Sequence, residues 1–77
     1  MTREEFLQAV RSSNIRSDAF RLSGQGNECY VLTDRAGGWV VHYAERGLET
    51  GVRHFLTESA ALEHLLEELR SDPTTRR

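Results

Sequence analysis

Lysine is absent from this sequence. All ten basic residues are arginine, set against twelve carboxylates, for a formal net charge of −2. That balance gives no general attraction to nucleic acid or to anionic lipid. The arginine-only usage reads as a coding bias toward GC-rich codons, not as a phosphate-binding design. Cysteine is nearly absent as well. The lone Cys29 cannot close an internal disulfide. The start, Met1-Thr2-Arg3-Glu4-Glu5, is charged and lacks the apolar stretch of a signal peptide. Together these point to the cytoplasm. No run of about 18 apolar residues occurs, so no membrane span is expected. Internal repeats and linkers are missing too. The 77 residues are therefore read as one domain over 1–72, with 73–77 a disordered tail. A domain this small buries only about 60% of the surface its unfolded chain exposes, so it is marginally stable.

What is present is an organised α+β pattern. Thr2 and Glu5 have capping-box spacing, and Phe6, Leu7 and Val10 follow on one helical face. A short amphipathic helix over 3–11 is expected, ended by Ser12-Ser13-Asn14, with Ile15 anchoring the connection. Ala19-Phe20-Arg21-Leu22 suits a brief edge strand, and Ser23 to Asn27 a loop. Two glycines in that loop suggest an anion cradle, but no lysine follows and no helix starts, so a plain turn is preferred.

The densest run of β-branched and aromatic residues is Gly38-Trp39-Val40-Val41-His42-Tyr43-Ala44-Glu45-Arg46-Gly47. It reads as a central strand, with Trp39, Val41 and Tyr43 on one face and Val40, His42 and Ala44 on the other. Glu28 to Thr33 precedes it across an Asp34-to-Gly38 hairpin. Placing Leu32 opposite Val41 sets Tyr30 opposite Tyr43 and Val31 opposite His42, which gathers the larger side chains on one face. A third strand over Thr50 to Leu56 carries Val52 and Phe55 three apart, which breaks alternation and calls for a bulge or an early strand end. Thr57 then caps a helix over 58–70. Leu62, Leu65, Leu66 and Leu69 form its apolar arc, and Ser71-Asp72-Pro73 stops it. The expected fold is a two-layer α-β-β-β-β-α domain: an antiparallel three- to four-stranded meander flanked in sequence by two helices.

Chemistry is harder to find. Cys29, His42 and His54 fall on three different strands and are zinc-ligand types, but the close ligand pairs of zinc sites are missing. A buried thiol and two half-exposed imidazoles is the plainer reading, with no metal and no cofactor. A nucleophile built from Cys29, His42 and Glu45 would need a lowered thiol pKa and a cleft, and nothing supplies either. The chain is therefore read as no enzyme. Two surface features remain. Glu63, Glu67 and Glu68 share the polar side of the last helix. Glu63 and Glu67 stand four apart, which costs a helix roughly 0.2–0.5 kcal/mol. That face suits a basic partner, although glutamate is also simply a good exposed helix former. Glu45-Arg46-Gly47 stands at a strand end, where Arg46 projects toward a partner or pairs locally with Glu45. The aromatics Trp39, Tyr43, Phe6 and Phe55 are expected in the core; one left exposed would signal an interface.

The order helix, three strands, helix also resembles double-stranded RNA-binding domains. Those clamp phosphates with basic residues at the start of the last helix. Here that helix carries Glu58, Glu63, Glu67 and Glu68 against Arg70 alone. Phosphate would be repelled, so no nucleic-acid partner is expected.

From Glu28 to Leu69 the sequence resembles a family of small bacterial immunity proteins of polymorphic toxin systems, the family labelled immunity protein 59. The residues carrying the resemblance are Glu28, Tyr30 and Leu32, then Gly38-Trp39-Val40-Val41-His42-Tyr43 with Glu45-Arg46-Gly47. Gly51, Phe55, Thr57-Glu58, Ala61 and Leu65-Leu66 follow. His42 departs from the pattern, standing where an aromatic such as tyrosine is expected. The resemblance implies a non-enzymatic inhibitor that binds a cognate toxin domain in the producer's cytoplasm. Were that toxin a nuclease, its active surface would be basic and the Glu63, Glu67 and Glu68 face would steer association. The expected contact residues are then Glu45, Arg46, Glu63, Glu67, Glu68 and His42, on a chain that is a monomer or homodimer when free. The competing reading is a small self-associating structural or regulatory module. The face bearing Val31, Val40 and His42 bears on this choice: left bare, it would call for a partner or a second copy to cover it.

Overall fold

A computed structural model of the chain describes every residue from Met1 to Arg77. Helix α1 spans Arg3–Ser12, as its cap dictates. The Thr2 hydroxyl accepts from the Glu5 amide, and the Glu5 carboxylate accepts from the Thr2 amide. Glu4 and Glu5 sit in its first turn and Arg11 in its last, which suits the helix dipole. Helix α2 spans Glu58–Ser71 and is capped by Thr57, whose hydroxyl accepts from the Ala60 amide at 3.2 Å. Strands β1 (Phe20–Arg21), β2 (Cys29–Arg35), β3 (Gly38–Glu45) and β4 (Leu48–Phe55) form one sheet in the order β1-β2-β3-β4.

The β2–β3 register is the expected one, with Tyr30 opposite Tyr43, Val31 opposite His42 and Leu32 opposite Val41. Both hairpins close on two residues, Ala36-Gly37 and Arg46-Gly47, all with positive φ. Positive φ at both turn positions matches the twist of the flanking strands. It places a side chain in the left-handed region at Ala36 and Arg46, where asparagine or glycine is more usual. β4 does carry a bulge: between Val41 and Tyr43 the partner strand advances from Arg53 to Thr50, leaving one extra residue at Gly51-Val52. Pairing from Arg53 to Phe55 is regular, so the bulge does not bring Val52 onto the face of Phe55.

Both helices lie on one face of the sheet. The core there joins Phe6 and Val10 of α1, Leu62, Leu65 and Leu69 of α2, and Leu32 and Val41 of the sheet, with Ile15 sealing the end. Most of these have no exposed surface at all, and each large side chain so buried contributes roughly 1.5–3 kcal/mol. Phe20 meets Phe6 edge-on at 5.3 Å.

Three expectations need correction. Strands β2, β3 and β4 form the expected antiparallel meander, but the fourth strand makes the sheet mixed, because β1 runs parallel to β2, pairing Phe20 with Tyr30 and Arg21 with Val31. A parallel neighbour requires the chain to cross over rather than turn back, and residues 22–28 make that crossing on the face opposite the helices. There Gly26 lies so close to Cys29 Sγ and Val31 that a Cβ would not fit. The crossing loop thus covers the second face, and Cys29, Val31, Val40, His42 and Ala44 are all buried. That face is not bare.

The second correction concerns the tail. Pro73–Thr75 form a turn of 3-10 helix capped by Asp72, and Thr75 is buried. The Thr75 hydroxyl donates to the Leu69 carbonyl at 2.7 Å, and the Arg76 guanidinium donates to the Leu69 and Arg70 carbonyls. These are the orphan acceptors at the end of α2. The Arg16 amide donates to the Thr75 carbonyl and the Arg77 amide to that of Asn14, while Ile15 and Arg76 form an antiparallel bridge. The third correction is Tyr43, which lies outside the main core cluster and is half-exposed.

Candidate functional site

Tyr30 and Tyr43 face each other across β2 and β3 on the helix side, beyond the end of the apolar core. Their ring centroids are 5.0 Å apart at 72°. An edge-to-face pair of this kind is worth about 0.5–1.5 kcal/mol beyond its burial. The Tyr30 hydroxyl donates to Asp72 Oδ2 at 3.0 Å. Burial, and then that bond to Asp72, push the Tyr30 phenol up to about 12. Burial also raises Tyr43, helped by the nearby carboxylates of Glu45, Glu28 and Asp72. Asp72 is held below the usual carboxylate range, chiefly because it accepts from the Thr74 hydroxyl and amide.

The result is an aromatic pair ringed by Glu28, Glu45, Glu68 and Asp72. Glu68 shares a groove of about 180 Å³ with Tyr30, Val41, His42, Tyr43, Thr50 and Gly51. Small-molecule sites usually enclose about 300–1,000 Å³, so this groove fits a protruding side chain better than a metabolite. A half-buried aromatic centre with a charged rim is the anatomy of a protein interface.

The structure divides the six sequence-expected contact residues among separate places. Glu45 and Glu68 join the tyrosine patch. Glu67 stands next to it, lining a shallow hollow with His64, Glu68 and Ser71. Glu63 is on the α1 side of α2 and pairs with the Met1 ammonium at 3.3 Å. The acidic side of α2 is therefore partly neutralised. The His64 Nε2 lies 3.1 Å from Glu68 Oε1. Arg46 occupies the left-handed first position of the β3–β4 turn, and its amide donates to Asn27 Oδ1 at 2.9 Å. That contact ties the crossing loop to the hairpin, and Glu45 and Arg46 form no ion pair.

His42 also lines the tyrosine groove, but its side chain points to the second face. It is 4% exposed and sits on the second face beneath the crossing loop. Its Nε2 lies 3.5 Å from Glu49 Oε2, and its Nδ1 has no partner. Glu49 in turn takes both guanidinium nitrogens of Arg35, a fork-to-fork pair that closes over this end of the face. Arg35 lowers the Glu49 carboxyl below its ordinary range.

Cys29, His42 and His54 do share the second face, since they stand opposite or diagonal to one another in the pairing with Ala44, Val31 and Val40. They do not converge into a ligand set. Glu45 lies on the other face of β3, so it cannot orient His42 toward Cys29. Tyr30, Asp72, Glu28 and Thr50 are the residues of this patch that the sequence did not mark as contacts. The Tyr30–Tyr43 register was readable from the strand pattern. Asp72 read only as a helix stop, and its approach to Tyr30 depends on where α2 ends over the sheet. No helix is long and apolar enough to cross a membrane. No protein-family model, curated protein or solved structure matches the chain.

Proposed function

We propose that the chain is a non-enzymatic protein inhibitor of the immunity type, binding a basic toxin domain through the Tyr30–Tyr43 patch. The observation that carries this reading is the half-exposed aromatic pair within a ring of four carboxylates. Tyrosines supply apolar contact at little entropic cost, and their faces attract arginine and lysine. The carboxylates around them raise the on-rate of a positively charged partner and make it salt-dependent. The partner's loop or side chain would enter the groove under Glu68. Glu67 extends the acidic field, while Glu63, already paired with Met1, contributes less than the sequence suggested.

The test is co-purification with the C-terminal domain encoded by the neighbouring upstream gene. A complex that survives high salt, with rescue of cells from that domain, supports the proposal. Tyr43→Ala should weaken the complex at least tenfold, and Glu45→Lys should mainly slow association. A neighbour that is not toxic and does not bind removes the proposal.

A further inference from the structure

Three large apolar side chains are exposed in the whole molecule: Leu48 at 67%, Val52 at 39% and Leu56 at 93%. All three lie on β4 or directly after it. β4 is also an eight-residue edge strand whose outer side no other strand covers. An uncovered edge is a template for another strand, and proteins normally blunt it with charge or a bulge. β4 has a bulge, but that bulge has a second consequence, because it fixes which residues share a face.

Residues paired across a sheet point the same way. Leu48, Thr50, Arg53 and Phe55 oppose Glu45, Tyr43, Val41 and Trp39, so they belong to the helix face. Glu49 and His54 oppose Ala44 and Val40, so they belong to the other face. If β4 pairs antiparallel with β4 of a second copy about a two-fold axis, only one register keeps these faces matched along the whole strand. It sets Leu48 opposite Phe55 of the second copy, Glu49 opposite His54, and Thr50 opposite Arg53. The axis then passes between Gly51 and Val52, so the two bulges meet and the two Val52 side chains flank the axis.

This register joins apolar to apolar at the hairpin end and carboxylate to imidazole on the other face. It sets no like charges against each other. A register centred on Arg53 would oppose that arginine to its own copy and would pair only part of the strand. The patches are self-complementary, as a two-fold interface requires. We propose that the free chain is a homodimer whose sheet continues through β4 in this register. This pairing is argued from β4 and not from the inhibitor reading, although Thr50 and Gly51 belong both to this edge and to the Tyr30–Tyr43 groove.

Sedimentation and light scattering of the free chain test it, and the expected mass is twice 8.8 kDa. Val52→Lys brings two ammonium groups together at the axis and should give the monomer, with helix and sheet signals unchanged by circular dichroism. The register is tested separately by oxidation. A mixture of Thr50→Cys and Arg53→Cys chains should form a disulfide between the two variants readily, and neither variant alone should, with the wild type as control for Cys29. This second test holds even if Val52→Lys fails to fold. A chain that stays monomeric up to millimolar concentration overturns the proposal, since the bulge then protects the edge. So does a dimer that Val52→Lys leaves intact, or cross-linking no faster in the mixture than in either variant alone.

Discussion

The two faces of the sheet are both buried, but by different means. On the helix face, leucines of α2 and Phe6 of α1 pack on Leu32 and Val41. This is side-chain burial at helical and strand spacing. On the other face a seven-residue crossing and one ion pair do the covering. Gly26 lies directly on Cys29 and Val31, and Arg35 with Glu49 closes over His42. The first face draws its stability from apolar area, the second from a close backbone approach and a charge pair. This small domain has material for only two helices, and the loop lets it bury both sides of its sheet. The contrast also indicates where a partner can dock. The loop closes the second face, and the open ground is the end of the helix face where the core stops and Tyr43 emerges.

The two faces should respond differently to substitution. The largest effect belongs to the helix face. Leu65→Ala removes a fully buried side chain and should cost about 2–5 kcal/mol, read by chemical denaturation. Gly26→Ala strikes the other face by overpacking and should cost about 1–3 kcal/mol. It should also speed labelling of the Cys29 thiol, which lies beneath the loop, while leaving Trp39 fluorescence in the folded state unchanged. Equal labelling of the two proteins would mean that the loop does not guard this face.

The smaller effects are pH-dependent and fall at opposite ends of the scale. Tyr30 has its pKa raised in the folded state, to about 12. Its contribution is full below the unfolded value near 10 and is lost as pH rises through 12. Discounted for the ring's partial exposure, the loss is on the order of 1 kcal/mol, and Tyr30→Phe should flatten the alkaline limb of the stability curve. Glu49 has its pKa lowered by Arg35. Its contribution is present above the usual glutamate value and is lost as pH falls through the lowered one. Asp72 is lowered as well and adds to the acid limb from the helix side. Glu49→Gln should therefore remove only part of that limb, and it alone should raise Cys29 labelling in mild acid.

How legible each face was follows from the same physics. The leucine arc of α2, the capping box of α1, the Thr57 cap of α2 and the Tyr30–Tyr43 register are local patterns, and the sequence displays them. Val52 and Phe55 standing three apart suggest a bulge or an early strand end, but the bulge at Gly51-Val52 precedes that interval and leaves the two on opposite faces. The parallel pairing of β1 did not, because Phe20-Arg21 is only two residues long and nothing local distinguishes a crossing loop from a turn. The glycines of Ser23-Gly24-Gln25-Gly26-Asn27 suggested an anion cradle or a turn. Gly26 instead serves a close approach to Cys29, which is visible only once the loop lies on the sheet. The tail was illegible for a similar reason. Thr74-Thr75-Arg76-Arg77 has no apolar residue, and it is ordered by backbone and guanidinium bonds to the end of α2. Within the candidate site, Glu45 and Glu68 were legible as surface charge. Their meeting around Tyr43 is a product of tertiary packing, as is the withdrawal of His42 beneath the loop.

The most direct test of the central claim is an amide chemical-shift map of the labelled chain titrated with the neighbour-encoded C-terminal domain. The largest shifts are expected at Tyr30, Tyr43, Glu45, Glu68 and Asp72, with Gly24 to Asn27 little changed. Shifts concentrated on the crossing loop, with the tyrosine patch silent, would contradict the claim and make the covered face the working one.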